Sequence, residues 1–96
     1  MEVSLTRRSF EFLEMLKKNQ GKFSIELTTT NGGERQGWKR ILKSLKEKGL
    51  IDFESVGTWT ERIPGYPRIY RIGIKGLKVR DYKIIKKTSR NVVIKV

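Results

Sequence analysis

The segment from Glu34 to Lys48 leaves a folding chain the fewest options. Trp38, Ile41, Leu42 and Leu45 fall at i, i+3, i+4 and i+7, the apolar stripe of an amphipathic helix. At about 100° per residue, Gln36, Lys39, Arg40, Lys43 and Glu47 stand opposite that stripe. The spacing predicts a helix over 34–48 with a buried face and a basic face, ended by Gly49.

Charge makes the basic face the centre of interest. The chain carries 22 Lys plus Arg against 10 Asp plus Glu, a net +12 on 96 residues, with no His and no Cys. A chain of this length builds one small core and no deep substrate cleft. Without Cys or His, the usual zinc, iron-sulfur and haem ligand sets and the Ser-His and Cys-His nucleophile pairs cannot be assembled. No metal, no cofactor and no enzymatic activity are expected. Asp52 and Glu54, two apart on an extended segment, could bind Mg²⁺ in principle. Beside a basic hairpin they are better suited to repelling misplaced DNA. The absence of Cys allows a reducing interior, no apolar run approaches the roughly 18 residues of a membrane span, and Met1-Glu2-Val3-Ser4 does not open an export signal. A soluble, cytoplasmic and nucleoid-associated protein is expected.

Positive charge on this scale is commonly offset by a polyanion. Nucleic acid is the leading candidate, with anionic membrane and acidic protein as competitors and a lysine-rich, heat-adapted surface as the plain alternative. The distribution favours a binding face. Residues 1–33 carry +1, 34–50 carry +4, 51–61 carry −3 and 62–96 carry +10. Heat adaptation would spread both signs more evenly.

Other elements follow from local pattern. Phe12, Leu13 and Leu16 predict a first helix over 6–19, capped by Thr6 or Ser4 and stopped by Asn19-Gln20-Gly21. Ser24 through Thr30 reads as a short second helix with Ser24 as its cap and Asn31-Gly32-Gly33 as its end, although three successive Thr also suit a strand. Leu50–Glu54 and Arg68–Ile74 read as two strands joined by a long loop that holds both prolines, Pro64 and Pro67. The tail holds β-branched and aromatic residues on either side of Thr88-Ser89-Arg90-Asn91, which predicts a second hairpin.

The order of these elements, with the run from Arg35 to Ile51 and the stretch Pro67-Arg68-Ile69-Tyr70-Arg71-Ile72, resembles the winged helix-turn-helix DNA-binding proteins of bacteria and archaea, in particular regulators of the MarR, PadR and ArsR type. The resemblance spans residues 8–76. Gly37 departs from the Ser or Thr usual at that place, and the long dimerisation helices of such regulators are missing. It implies an α+β winged helix-turn-helix of three helices and a β-hairpin wing over 1–76, followed by a basic β-hairpin extension over 77–96. It also implies a transcriptional regulator that binds double-stranded DNA, with helix 34–48 in the major groove and the 56–68 wing on the minor groove or the phosphate backbone.

Side-chain chemistry names the contacts. Gln pairs with adenine and Arg with guanine, so Gln36 and Arg40 are expected to read sequence, while Lys39 and Lys43 read bases or hold phosphates. Arg35 belongs to the same helix. Ser24, with the free N–H groups opening the second helix, is expected on phosphate. Arg62, Tyr66 and Arg68 sit in the wing for minor-groove or phosphate contact, though Tyr66 could simply pack on the hairpin. For the basic tail over 77–96 two readings stand, extra phosphate contact by its lysines and arginines, or a β-ribbon whose apolar residues Ile84, Val92 and Ile94 face a second subunit in a homodimer with the bases outward, and the second is favoured. A DNA-coating partition or chromatin protein and an RNA- or ribosome-binding winged helix remain the alternatives.

Overall fold

A computed structural model describes all 96 residues. In chain order the elements are β1 (Glu2–Thr6), α1 (Arg7–Asn19), β2 (Ser24–Thr29), α2 (Gly32–Glu47), β3 (Ile51–Asp52), β4 (Ser55–Glu61), β5 (Ile69–Lys75), β6 (Lys78–Val79), β7 (Lys83–Lys87) and β8 (Asn91–Lys95). The chain is α+β, with two helices and eight strands in three sheets. A three-helix winged helix is therefore overturned, because the segment expected to form the second helix is strand β2.

The reason lies in side-chain periodicity. In a helix Ile25 and Leu27 would point about 200° apart and could not share a core. In a strand both face inward, with Glu26 and Thr28 outward, and the threonines suit the extended backbone. Strand β2 pairs antiparallel with β5 from Ser24↔Lys75 to Thr29↔Tyr70. No tight turn joins α1 to α2, so a helix-turn-helix is absent as well.

Helix α2 starts two residues earlier than its apolar stripe suggests. Asn31, expected to close a helix, opens this one: its Oδ1 accepts from the N–H groups of Gly33 at 2.9 Å and Glu34 at 3.1 Å. Gly32-Gly33 is thus its first turn. At the other end Gly49, at φ +72°, allows Gly49 N–H to reach Lys46 O and Leu50 N–H to reach Leu45 O, each at 3.0 Å. This pair of bonds is a Schellman stop. Helix α1 opens on Thr6, whose Oγ1 accepts from Ser9 N–H at 3.2 Å.

The hairpin also differs from expectation. Residues 51–52 pair with β6 through Ile51↔Val79, and the strand that pairs with β5 is β4, from Ser55↔Lys75 to Glu61↔Ile69. Much of the supposed 56–68 loop is consequently strand, leaving 62–68 as the tip. There Tyr66 N–H donates to Ile63 O at 3.1 Å across Pro64 and Gly65, the latter at φ +82°, in the manner of a type II turn.

The terminal strands do form a hairpin, and β8 also pairs with β1 from Glu2↔Lys95 to Thr6↔Asn91, giving the order β1-β8-β7. This overturns the second-subunit role for Val92 and Ile94. Val92 and Ile94 are fully buried in the chain's own core with Leu5, and only Ile84, half exposed, lies beyond it. Helix α1 packs on β1 and β8, α2 packs on β2, β3 and β5, and the helices touch. One cluster holds all fifteen buried residues, none of them polar. No helix is long and apolar enough to cross a membrane.

Tyr82 packs edge-on against Phe10 at 6.2 Å with Lys17 Nζ 4.3 Å from its ring centre. Its hydroxyl is buried without a hydrogen-bond partner. Burial, followed by the nearby Glu14 carboxylate, pushes the phenol above its ordinary value. A raised pKa means that the folded chain holds this proton while the unfolded chain releases it near pH 10, so stability declines as pH rises through about 10. Tyr82→Phe should leave neutral stability unchanged or slightly higher and flatten the alkaline decline in urea titrations. A steeper alkaline decline in the variant would contradict this. Asn31→Ala should cost about 1 kcal/mol of unfolding free energy, and no loss would place the start of α2 elsewhere.

Candidate nucleic-acid interface

The exposed arc of α2 carries Gln36, Lys39, Arg40 and Lys43, all solvent-accessible. None makes an ion pair or an intramolecular side-chain hydrogen bond. Beside this arc runs an open groove of about 690 Å³, lined by these four residues and by Leu42, Lys46, Glu47, Phe53 and Val56. Its floor is apolar and its rim is basic. Lys46 reaches across, with Nζ 4.2 Å from the Phe53 ring centre and 3.7 Å from Asp52 Oδ1.

Arg35 has a different task from its neighbours. Its Nη1 donates to Trp59 O at 2.9 Å and to Thr60 Oγ1 at 3.1 Å, and its guanidinium lies 5.0 Å from the Tyr70 ring centre. The start of α2 is thereby fastened to the loop end of the β4–β5 hairpin. Loop 62–68 consequently leads off from the N-terminal end of α2, and exposed Arg62, Tyr66 and Arg68 lie there. Tyr66 is 71% exposed and does not pack on the hairpin.

Ser24 is not part of this constellation. It opens β2 opposite Lys75, in the row of the sheet that also contains Ser55, at the end away from loop 62–68. The expected helix-cap contact to phosphate is corrected with the helix itself. On the outer face of the same sheet, Arg71 bridges Glu26 at 2.6 Å and Glu61 at 2.9 Å. The hydrogen bond to Glu26 is the chief cause of a guanidinium pKa raised still further, with Glu61 adding to it against the opposing effect of burial.

Ion pairing is therefore sparse. Of 22 cationic side chains, only Lys46 and Arg71 lie within ion-pair distance of a carboxylate. The −3 segment gives up Asp52 to Lys46 at the edge of the groove beside the α2 arc, and Glu61 to Arg71 on the outer face of the middle sheet. No three acidic side chains converge as a metal site. The helix face was legible from spacing, but the fastening role of Arg35 was not, since its partners lie 24 and 25 residues away. Nor does any local pattern mark Arg8. Its Nη2 would stand 2.8 Å from a Cβ placed on Gly37, so α1 contributes a cation to the flank of α2.

No family model, curated protein or solved structure matches the chain.

Arg35→Ala should lower stability by about 1–2 kcal/mol, because it removes hydrogen bonds from a charged donor. Arg40→Ala should change it by less than about 0.5 kcal/mol. Equal effects in denaturant titrations would contradict the division between a fastening and a free arginine.

Proposed function

We propose that the protein binds double-stranded DNA as a sequence-reading protein of the transcriptional-regulator kind, laying the exposed arc of α2 in the major groove. One observation carries this proposal: four unengaged polar and basic side chains share one face of a sixteen-residue helix, while the neighbouring Arg35 and Lys46 are held in internal contacts.

Dimensions and chemistry support it. A helix with its side chains is about 10–12 Å across, and the major groove of B-form DNA is about 12 Å wide. Gln36 and Arg40 suit adenine and guanine edges, and Lys39 and Lys43 reach bases or the flanking phosphates. Loop 62–68, stiffened by two prolines, offers Arg62 and Arg68 to phosphate or the minor groove just beyond the end of α2. RNA duplexes fit less well, because their major groove is too deep and narrow for a helix.

Binding to duplex DNA should weaken with salt at a log-log slope of about −4 or steeper, since each neutralised phosphate contributes about −0.9. Arg40→Ala should cost about 1–3 kcal/mol of preference at one base position, whereas Lys43→Gln should weaken all sequences alike. A salt-independent response, or tighter competition by structured RNA, would overturn the assignment. One copy is 49 Å in its longest dimension, and at about 3.4 Å per step it covers at most about 14 base pairs. A footprint that keeps growing with protein concentration would indicate coating instead of site recognition.

A further inference from the structure

We infer that the DNA-binding surface does not end at α2 but continues over the start of α1 to the turn of the C-terminal hairpin, so that a bound duplex lays its phosphate backbone across Arg8, Lys87 and Arg90. This extends the DNA-binding proposal and rests on it.

Three contacts link these groups around the N-terminal end of α1. The Arg8 guanidinium rests against α2 at Gly37, where a Cβ would meet Nη2 at 2.8 Å. Gly37 adjoins Gln36 and lies one helical turn before Arg40, so Arg8 flanks the arc assigned to base reading. Arg7 then ties the start of α1 to the hairpin turn: its Nη1 donates to Thr88 O at 2.9 Å and its backbone N–H to Arg90 O at 3.1 Å. Finally Lys87 Nζ stands 5.5 Å from the ring centre of Phe10, on the same helix. Residues distant in sequence thus gather around the first turns of α1, with Arg8 on the flank that meets α2 and Lys87 and the hairpin turn on the side that carries Arg7 and Phe10.

The charge there is uncompensated. None of Arg7, Arg8, Lys87 and Arg90 makes an ion pair, and Glu11, one turn further along α1, pairs with neither arginine. The first turn of α1 contains no acid and two bases, an order that the helix dipole disfavours. Four cations without a carboxylate partner, gathered around the end of one helix, are offset by a polyanion that runs along it. The backbone of the duplex already seated on α2 is such a polyanion. The turn is also firm, since Thr88 Oγ1 accepts from the N–H groups of Arg90 at 3.4 Å and Asn91 at 3.0 Å.

The test compares two triple variants of equal charge change in the full chain. Arg8→Gln, Lys87→Gln and Arg90→Gln remove three cations from this surface. Lys18→Gln, Lys48→Gln and Lys78→Gln remove three from the last turn of α1, the end of α2 and β6. Affinity for a duplex longer than 49 Å is measured between about 50 and 200 mM salt, with thermal unfolding confirming that each variant is folded. The first triple should make the log-log slope shallower by about 3 and leave preference among sequences intact, while the second should change the slope by less than about 1. Single Arg90→Gln, whose side chain makes no internal hydrogen bond, should supply about one third of the first effect. Equal losses in both triples, or an unchanged slope in the first, would overturn the inference while leaving DNA binding through α2 in place. Absence of binding by the unaltered protein would remove the DNA-binding proposal and this extension with it.

Discussion

The placement of α2 depends on β5 being paired along both edges. Strand β2 takes one edge and β4 the other, and the register brings Tyr70, Ile72 and Ile74 onto the face that supports the helix. Ile72 and Ile74 are essentially inaccessible, as are Leu42 and Leu45 on α2. Without β2 the hairpin would be a two-stranded ribbon, which is marginal by itself in water. With it, the hairpin becomes a rigid support, and Arg35 fixes the first turn of α2 to its far end. The relation between helix face and loop 62–68 is thus set by packing and by one side chain.

The wholly apolar core has an electrostatic consequence. Every one of the 32 charged side chains is excluded from it, and the ten acids are too few to neutralise the bases. Most acids do not try: Asp52, Glu26 and Glu61 form the only ion pairs, with Lys46 and Arg71, and these consolidate β3 and the outer face of the middle sheet. Exposed pairs of this kind contribute little to stability. The remaining cations, including the α2 arc, keep their charge available to a partner.

Where the chain obeyed local periodicity, its elements were readable. Both amphipathic helices and the turn at 88–91 stand where apolar spacing and turn residues put them. Misreadings arose where a distant strand decides. Residues 24–29 alternate in the manner of a strand and contain β-branched threonines, but the order of neighbouring elements favoured a helix, and the deciding partner, β5, begins 45 residues beyond Ser24. Two glycines after Asn31 read as a helix end, whereas its carboxamide caps the helix that they open. Val92 and Ile94 looked unpartnered because their cover, β1 and α1, lies at the opposite end of the chain. For the candidate site, helical spacing identified Gln36, Lys39, Arg40 and Lys43. It could not separate Arg35 from them, nor reveal that Arg8 lies alongside Gly37.

The central claim is that the exposed arc of α2 is the surface that meets DNA. Chemical-shift mapping of this 11.2 kDa chain during titration with a duplex tests it most directly. Shifts are expected to be largest on Gln36, Lys39, Arg40, Lys43 and loop 62–68 and to extend to Arg8, Lys87 and Arg90, with Glu26, Trp59 and Gly73 on the outer face of the middle sheet unaffected. Shifts centred on Trp59 and that outer face, with the α2 arc silent, would contradict it.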